Sequence, residues 1–257
     1  MIKKKMKKLY YILLVLLLTF IISCNNEKKQ IEIVAKETPI KEISGELKRI
    51  EGGNGKFIRF CIPAEDENYS DTFIYQIVGE TQIKDDRFTI SNLYDPPFKY
   101  LRKITEQFPV RLLEYSSDSN VFVSIPTSEL VIVDNQDVTD YEAGVKIRYC
   151  NGDPIKFMPS SYYTMFIYSN KDVKYKGKNF VKSLDPVSKE VVFVFEYDLL
   201  LKAGWNKLTY YYKSIQDEVD ITGESDAKLR TSRFVLFSGE LPGQEWYIYT
   251  TKIFKDG

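Results

Sequence analysis

Histidine is missing from all 257 residues. Its absence removes Ser-His-Asp and Cys-His nucleophilic catalysis from this chain, together with every histidine-ligated zinc or haem site. Cysteine is scarce: the three residues Cys24, Cys61 and Cys150 are too few and too widely spaced for a Cys-only zinc site. Net charge is missing too, since 36 basic residues balance 36 acidic ones. Five of the lysines (Lys3, Lys4, Lys5, Lys7, Lys8) fall in the first eight residues, which leaves 31 basic against 36 acidic in the remainder. That remainder has no electrostatic pull toward nucleic acid. No internal repeat with a period of about 20–50 residues marks a solenoid or propeller. The apolar run at 9–22 has 14 residues, short of the roughly 20 that a spanning helix needs.

That run follows the lysines directly, and Ser23 and Cys24 close it before an abrupt polar turn at Asn25-Asn26-Glu27. A basic segment, a short apolar core and a small residue at the cut make a secretory signal over 1–23. A cysteine immediately after the cut resembles the lipobox of bacterial lipoproteins, with Ile21 and Ile22 where the common pattern has Leu and Gly or Ala. The resemblance implies that Cys24 is lipidated and becomes the mature N-terminus. Each buried CH₂ contributes about 0.8 kcal/mol, so two or more acyl chains hold a protein on a bilayer. An uncleaved short anchor or a plain signal peptide is the alternative. Residues 24–42 then read as the lipidated cysteine and a flexible tether, whose 18 residues after Cys24 span roughly 20–25 Å root-mean-square. A short strand at Ile31–Val34 is an option within it.

From residue 43 onward the pattern is β. Tyr (19) and Phe (16) are abundant and favour pleated, half-buried strands. Ile43–Ile50 alternates, Gly52–Gly55 turns, and Phe57–Ile62 and Phe73–Val78 read as strands around an acidic loop at Glu65–Asp71. Thr81–Ile90 reads as a hairpin with Asp85-Asp86 at its tip, pairing Ile83 with Phe88. Asp95-Pro96-Pro97 predicts the start of one short helix near 96–108, with Phe98, Leu101, Ile104 and Phe108 on one side and Pro109 as its stop. The polar run Ser116–Asn120 predicts a boundary. Beyond it Val121–Ile125 and Val145–Tyr149 alternate, and Tyr162–Tyr168 is a continuous apolar and aromatic strand. Val191–Lys213 reads as one long hairpin turning at Lys202–Trp205, and Trp246–Phe254 as the last strand. Many strands with turn clusters and one short helix predict an all-β protein. We expect two tandem β-sandwich modules, 43–116 and 117–257.

Two elements carry a further likeness. Val78-Gly-Glu-Thr-Gln-Ile83 with Phe88-Thr-Ile90 and Pro96-Pro97, and Met165–Val173 with Leu201-Lys-Ala-Gly-Trp-Asn206, resemble a group of uncharacterised bacterial lipoproteins. The first module is similar to immunoglobulin-like and transthyretin-like envelope modules. The resemblance implies an address and a fold, and brings no activity.

The candidate sites are few. Cys61 and Cys150 remain after lipidation of Cys24, and outside the cytoplasm they form either a disulfide or two separate buried thiols. Trp205 at a hairpin tip and Trp246, with Tyr211 nearby, are candidates for stacking on a ligand; packing of Trp205 back over its hairpin is the alternative. The acids of Asp134–Glu142 and of Glu65–Asp71 have oxygen-rich spacing, but without the glycine and the spacing of an EF-hand they read as solvated loops. No metal or cofactor is expected. The functional expectation is a non-enzymatic binding, adhesion or scaffolding lipoprotein of the bacterial envelope, in the outer membrane, held by its lipid and partnered by envelope proteins or glycans. Glycan binding by exposed aromatics is the second expectation, and a histidine-free hydrolase using two carboxylates the third.

Overall fold

The computed structural model describes residues 39–47, 53–66, 69–137, 144–156, 158–184, 190–218 and 229–248. Cys24, most of the tether and the option of a strand at Ile31–Val34 lie outside the described residues. The described residues all belong to one compact unit, Val34–Gly257.

Fifteen strands are described: β1 (Ile43–Glu46), β2 (Phe57–Asp66), β3 (Tyr69–Gln82), β4 (Arg87–Ile90), β5 (Arg102–Lys103), β6 (Leu112–Ser116), β7 (Phe122–Val123), β8 (Glu129–Val133), β9 (Val145–Cys150), β10 (Tyr162–Ser169), β11 (Val173–Leu184), β12 (Glu190–Leu201), β13 (Gly204–Glu218), β14 (Leu229–Ser238) and β15 (Glu245–Ile248). β1 and β4 form a two-stranded sheet. The other 13 form one sheet along the path β3-β2-β8-β9-β10-β13-β14-β12-β11-β6, with β15 on β9, β7 on β10 and β5 on β7. The all-β class holds.

The expected division near 117 is crossed three times by these ladders, once by Arg102–Lys103 of β5 against Phe122–Val123 of β7. Phe57–Phe60 of β2 pairs with Leu130–Val133 of β8, and β6 pairs with β11. The strands on the two sides of that position therefore share one sheet, and two interleaved cores replace the two consecutive modules. The first core takes Ile43, Phe60, Ile90, Leu130, Ile147, Phe166, Trp205 and Trp246, among others. The second takes Ile104, Phe108, Val123, Ile167, Tyr175, Leu199, Leu208 and Leu236, among others. Phe166 and Ile167 are consecutive in β10, and successive strand residues face opposite ways. β10 is thus a septum with a core on each face. A strand buried on both faces reads as an unbroken apolar run, which is why Tyr162–Tyr168 shows no alternation. β13 does the same with Trp205 on one core and Leu208 on the other.

Four local expectations change. The Lys202–Trp205 turn forms, but its arms do not pair. β14 lies between them, parallel to β12 and antiparallel to β13. Phe234 of β14 stands opposite both Phe195 and Tyr212, so cross-strand aromatic contact on both sides outweighs closure of the hairpin. Residues 96–108 do not make a single helix capped by Asp95. A 3-10 turn at Phe98–Tyr100 is followed by β5 and by one helical turn, α1 (Ile104–Gln107). The chain is extended at Pro97 and Leu101, and Arg102 pairs with Val123. Ile104 and Phe108 are buried, whereas Phe98 is 61% exposed. The strand expected at Phe57–Ile62 does not stop there: β2 runs through Pro63 to Asp66 against β3. Beyond Phe60 β2 has one neighbour among the described residues, and a one-sided strand tolerates a proline. Consequently most of the expected acidic loop is strand: Glu65 and Asp66 end β2 and Tyr69–Asp71 begin β3.

The Asp85-Asp86 turn is as expected. Lys84 and Arg87 exchange backbone hydrogen bonds of 3.0 and 2.9 Å, and both aspartates lie in the left-handed region at φ 51° and 56°, the conformation of a type I′ turn. Past the turn the arms separate: Gln82 pairs with Phe57, and Arg87–Ile90 with β1.

Candidate functional site

The two tryptophans are placed by different routes and both are buried. Trp205 begins β13 as the chain leaves a turn built by side chains. Asn206 Oδ1 accepts the Lys202 N–H at 2.9 Å, its Nδ2 donates to the carbonyls of Lys202 and Gly204, and Asp172 accepts the Ala203 N–H at 2.9 Å. Gly204 supplies φ +104°, a value that L side chains rarely adopt. The turn aims Trp205 inward, edge-on to Phe60 and Tyr168, and its Nε1 donates to the Tyr94 carbonyl at 3.1 Å. At 3% exposure Trp205 offers no face to a ligand, so its role as a stacking residue is corrected to core packing. The Leu201–Asn206 element thereby has a structural account: it forms this turn and buries this indole.

Trp246 is 4% exposed, with Phe88 edge-on to it at 5.4 Å and Tyr149, its cross-strand partner, at 5.1 Å. Its neighbours nevertheless frame a concavity. Ser44, Gly45 and Glu46 of β1, Tyr149 of β9 and Gln244, Glu245 and Trp246 at β15 line a cleft of about 280 Å³. Gly45 is what brings β1 so close, because a Cβ there would lie 2.1 Å from Trp246 Nε1. Gln244 is buried and fixed: its Oε1 accepts from Thr164 Oγ1 at 3.0 Å and its Nε2 donates to the Leu241 carbonyl at 2.9 Å. Burial pushes the Tyr149 phenol up to about 12, and the carboxylates of Glu240 and Glu245 add to that; Glu240 also accepts its hydrogen bond. Glu240 is held in turn by Lys207 Nζ at 2.5 Å. On the rim Glu46 pairs with Arg87 at 3.8 Å, and Tyr247 Oη donates to Glu245 Oε2 at 3.4 Å. The cleft is therefore a rigid depression with aromatic walls, a buried amide and carboxylates. Tyr211 is not part of its lining; it is half-buried, opposite Tyr162 with the rings 6.2 Å apart.

A second aromatic array lies on the other face of the septum. Tyr163, Tyr210, Phe234 and Phe195 follow one another across β10, β13, β14 and β12 at 5.2, 5.6 and 5.3 Å, with interplanar angles of 30°, 25° and 19°. Tyr212 stacks on Phe234 at 4.7 Å, and the Arg148 guanidinium lies 4.7 Å over Tyr163. Near-parallel rings at strand spacing have their faces against one another. Their rims, not their planes, are what they offer outward, which suits packing and not the stacking of a sugar.

Cys61 and Cys150 are free thiols, both buried. No bridge forms between them. Cys150 Sγ donates to the Gly152 carbonyl at 3.1 Å, and burial pushes Cys61 up to about 12. Of the two acidic loops, Asp134 is paired with Lys56 at 2.9 Å; residues 138–143 and the side chains of Glu65–Asp71 lie outside the description. Among the described residues no group of three or more His, Cys, Asp or Glu is arranged to hold a metal ion, and no helix is long and apolar enough to cross a membrane.

The residues that sequence reasoning missed are Gly45, Tyr149, Gln244 and Glu245. They come from three distant segments, and the only local signal was the alternation that put Tyr149 beside Ile147. The chain matches no known protein family, no curated protein and no solved structure.

Proposed function

We propose that this protein is a lipid-anchored component of the bacterial cell envelope, held in the outer membrane through Cys24, whose β body works by binding and not by catalysis. The carrying observation is in the sequence: a 14-residue apolar run after the lysines that stops at Ser23-Cys24 and turns polar at once. Metabolic labelling of the full chain with an alkyne palmitate analogue tests it. Label is expected on the wild type, in the detergent phase, and neither label nor detergent partition in Cys24→Ser. An unlabelled wild type would end the anchor reading. Membership of the uncharacterised lipoprotein group, and sandwich packing of immunoglobulin-like or transthyretin-like type, belong to this proposal too. Burial of the septum strands on both faces supports such packing.

Partners are envelope proteins or glycans. Glycan binding is favoured by one specific feature, the cleft at Trp246 and Tyr149 with its buried amide and carboxylates. It replaces the Trp205 platform, which is buried. The carboxylate hydrolase reading has Glu46 and Glu245 on one cleft in its favour. Both sit at exposed positions of an open depression, whereas glycoside cleavage needs an acid and its partner flanking the bond in a water-excluding site. Binding is the better supported use.

A further inference from the structure

We propose that the segment 94–100 docks in the interfacial layer of the phospholipid bilayer that holds the anchor, and so fixes which end of the β body faces the membrane. The inference rests on the anchored reading and deepens it.

The segment reads Tyr94-Asp-Pro-Pro-Phe-Lys-Tyr100. Tyr94 is 65% and Phe98 61% exposed, and Pro97 between them is exposed too. Large apolar side chains gathered at one place on a surface mark an interaction site, where single ones do not. The backbone that carries them is stiff. Pro97 sits at φ −53°, held there by its ring. The 3-10 turn after it is closed by the Tyr100 N–H on the Pro97 carbonyl at 2.9 Å and the Leu101 N–H on the Phe98 carbonyl at 3.0 Å. Little therefore has to be ordered when the segment is covered. Its side chains suit a bilayer interface, where tyrosines gather and a lysine lays its stem along apolar surface with the ammonium in water. Lys99 is exposed, its ammonium 4.9 Å from the Tyr100 ring. The one acid, Asp95, accepts a hydrogen bond from the Tyr168 phenol, which ties it to the body.

The route of the chain says what covers it. Pro39 and Ile40 are the first described residues after Cys24. The Ile40 N–H donates to the Trp205 carbonyl at 2.8 Å, and the Trp205 indole N–H donates to the Tyr94 carbonyl at 3.1 Å. One residue, Trp205, thus joins the point where the chain enters the body to the exposed segment. Fourteen residues, 25–38, separate Cys24 from Pro39, a reach of about 50 Å at full extension. The anchor therefore keeps the segment at a high effective concentration over the bilayer, and a contact too weak to bind a free protein suffices to orient a tethered one. The other exposed apolar side chains are placed less well for this. Leu112, Leu113 and Tyr115 of β6 flank Glu114, which is paired with Lys176 and Lys178. Ile155 and Met158 precede β10, at the end where the Asn151 N–H meets the Tyr162 carbonyl at 3.1 Å. Tyr168, beside Asp95, is near the other end of that strand, about 20 Å along it. Docking through 94–100 turns Ile155 and Met158 away from the membrane.

Depth quenching tests this on the full chain, purified with its lipid and reconstituted in vesicles of phosphatidylethanolamine and phosphatidylglycerol, with or without bromine on the acyl chains. Both native tryptophans are buried, so an added one dominates the response. Phe98→Trp and Ile155→Trp replace side chains that are 61% and 64% exposed, and both variants are expected to keep the wild-type unfolding midpoint. Bromine is expected to lower the added emission of Phe98→Trp about twofold, while iodide in the buffer leaves it unchanged. Ile155→Trp is expected to show the reverse. Emission of Phe98→Trp open to iodide and untouched by bromine would overturn the docking. Equal bromine quenching of the two variants would do the same. So would shielding of Phe98→Trp from iodide without bromine quenching, which would mean that a second copy of the chain covers the segment. Palmitate label on Cys24, read on the same sample, separates the two failures. With label present such a result overturns the docking alone; a missing label overturns the anchor and the docking with it.

Discussion

Cys61 and Tyr149 show how single side chains report the fold. Burial pushes the Cys61 thiol from an ordinary value near 9 to about 12, against the lowering effect of Arg59, and Tyr149 rises from near 10 to about 12. Both shifts favour the neutral form in the folded chain. Between pH 9 and 12 the unfolded chain gives up these protons while the folded chain keeps them. Their contribution is therefore complete below pH 9 and is lost as pH rises toward 12. Thermal unfolding between about pH 8 and 11.5 should show a midpoint that starts to fall near pH 9, with a shallower fall in Cys61→Ala, where Cys150, also raised by burial, still titrates from the same point. The same burial predicts that a thiol reagent at about pH 8 leaves Cys61 and Cys150 unmodified until denaturant is added; rapid native labelling of both would contradict their placement. Side-chain identity let the sequence exclude histidine chemistry outright, and it left the disulfide open for a reason seen here. Pairing of two cysteines depends on where two remote strands lie, and β2 and β9 are separated in the sheet by β8.

At the scale of elements, turns were legible and pairings were not. The Asp85-Asp86 tip follows from local chemistry, because an aspartate tolerates the left-handed region better than most residues. It still carries a cost at φ 51° and 56°. Asp86→Gly should raise stability by about 1 kcal/mol, read as a higher midpoint in urea, since the contacts made by residue 86 here are backbone ones: its N–H donates to Asn54 Oδ1 and its carbonyl accepts from Leu47. A lower midpoint would show that the carboxylate itself holds the tip. The long hairpin over 191–213 failed as an expectation for the complementary reason. Alternation in its two arms fixes which face is apolar but not which strand lies alongside. Leu229–Ser238 mixes Arg, Ser and Thr with its apolar residues and does not announce itself, yet it supplies the Phe234 that both arms pack against. The helix near 96–108 failed because four apolar positions at helical spacing are also what an extended segment with a short plug presents.

The whole molecule turns on β10 and β13, which bury one core on each face. That arrangement was half-visible in the unbroken apolar run of Tyr162–Tyr168 and invisible in the polar run Ser116–Asn120, which looked like a linker and is a surface loop between strands of one sheet. The cleft was invisible for the same reason: β1, β9 and β15 meet only because the sheet path brings Trp246 beside Tyr149 and Gly45 sits over the indole. A shared septum makes a claim that two consecutive modules would not. Both tryptophans lie in the first core, so their fluorescence reports on that core alone, while Leu199 lies in the second. Leu199→Ala should cost about 2–5 kcal/mol. If the septum couples the cores, the fluorescence midpoint must fall by the full amount, in step with backbone circular dichroism, because losing the second core uncovers one face of the strands that floor the first. Cores that unfolded separately would leave the fluorescence transition where it was in the wild type and split the circular dichroism curve in two.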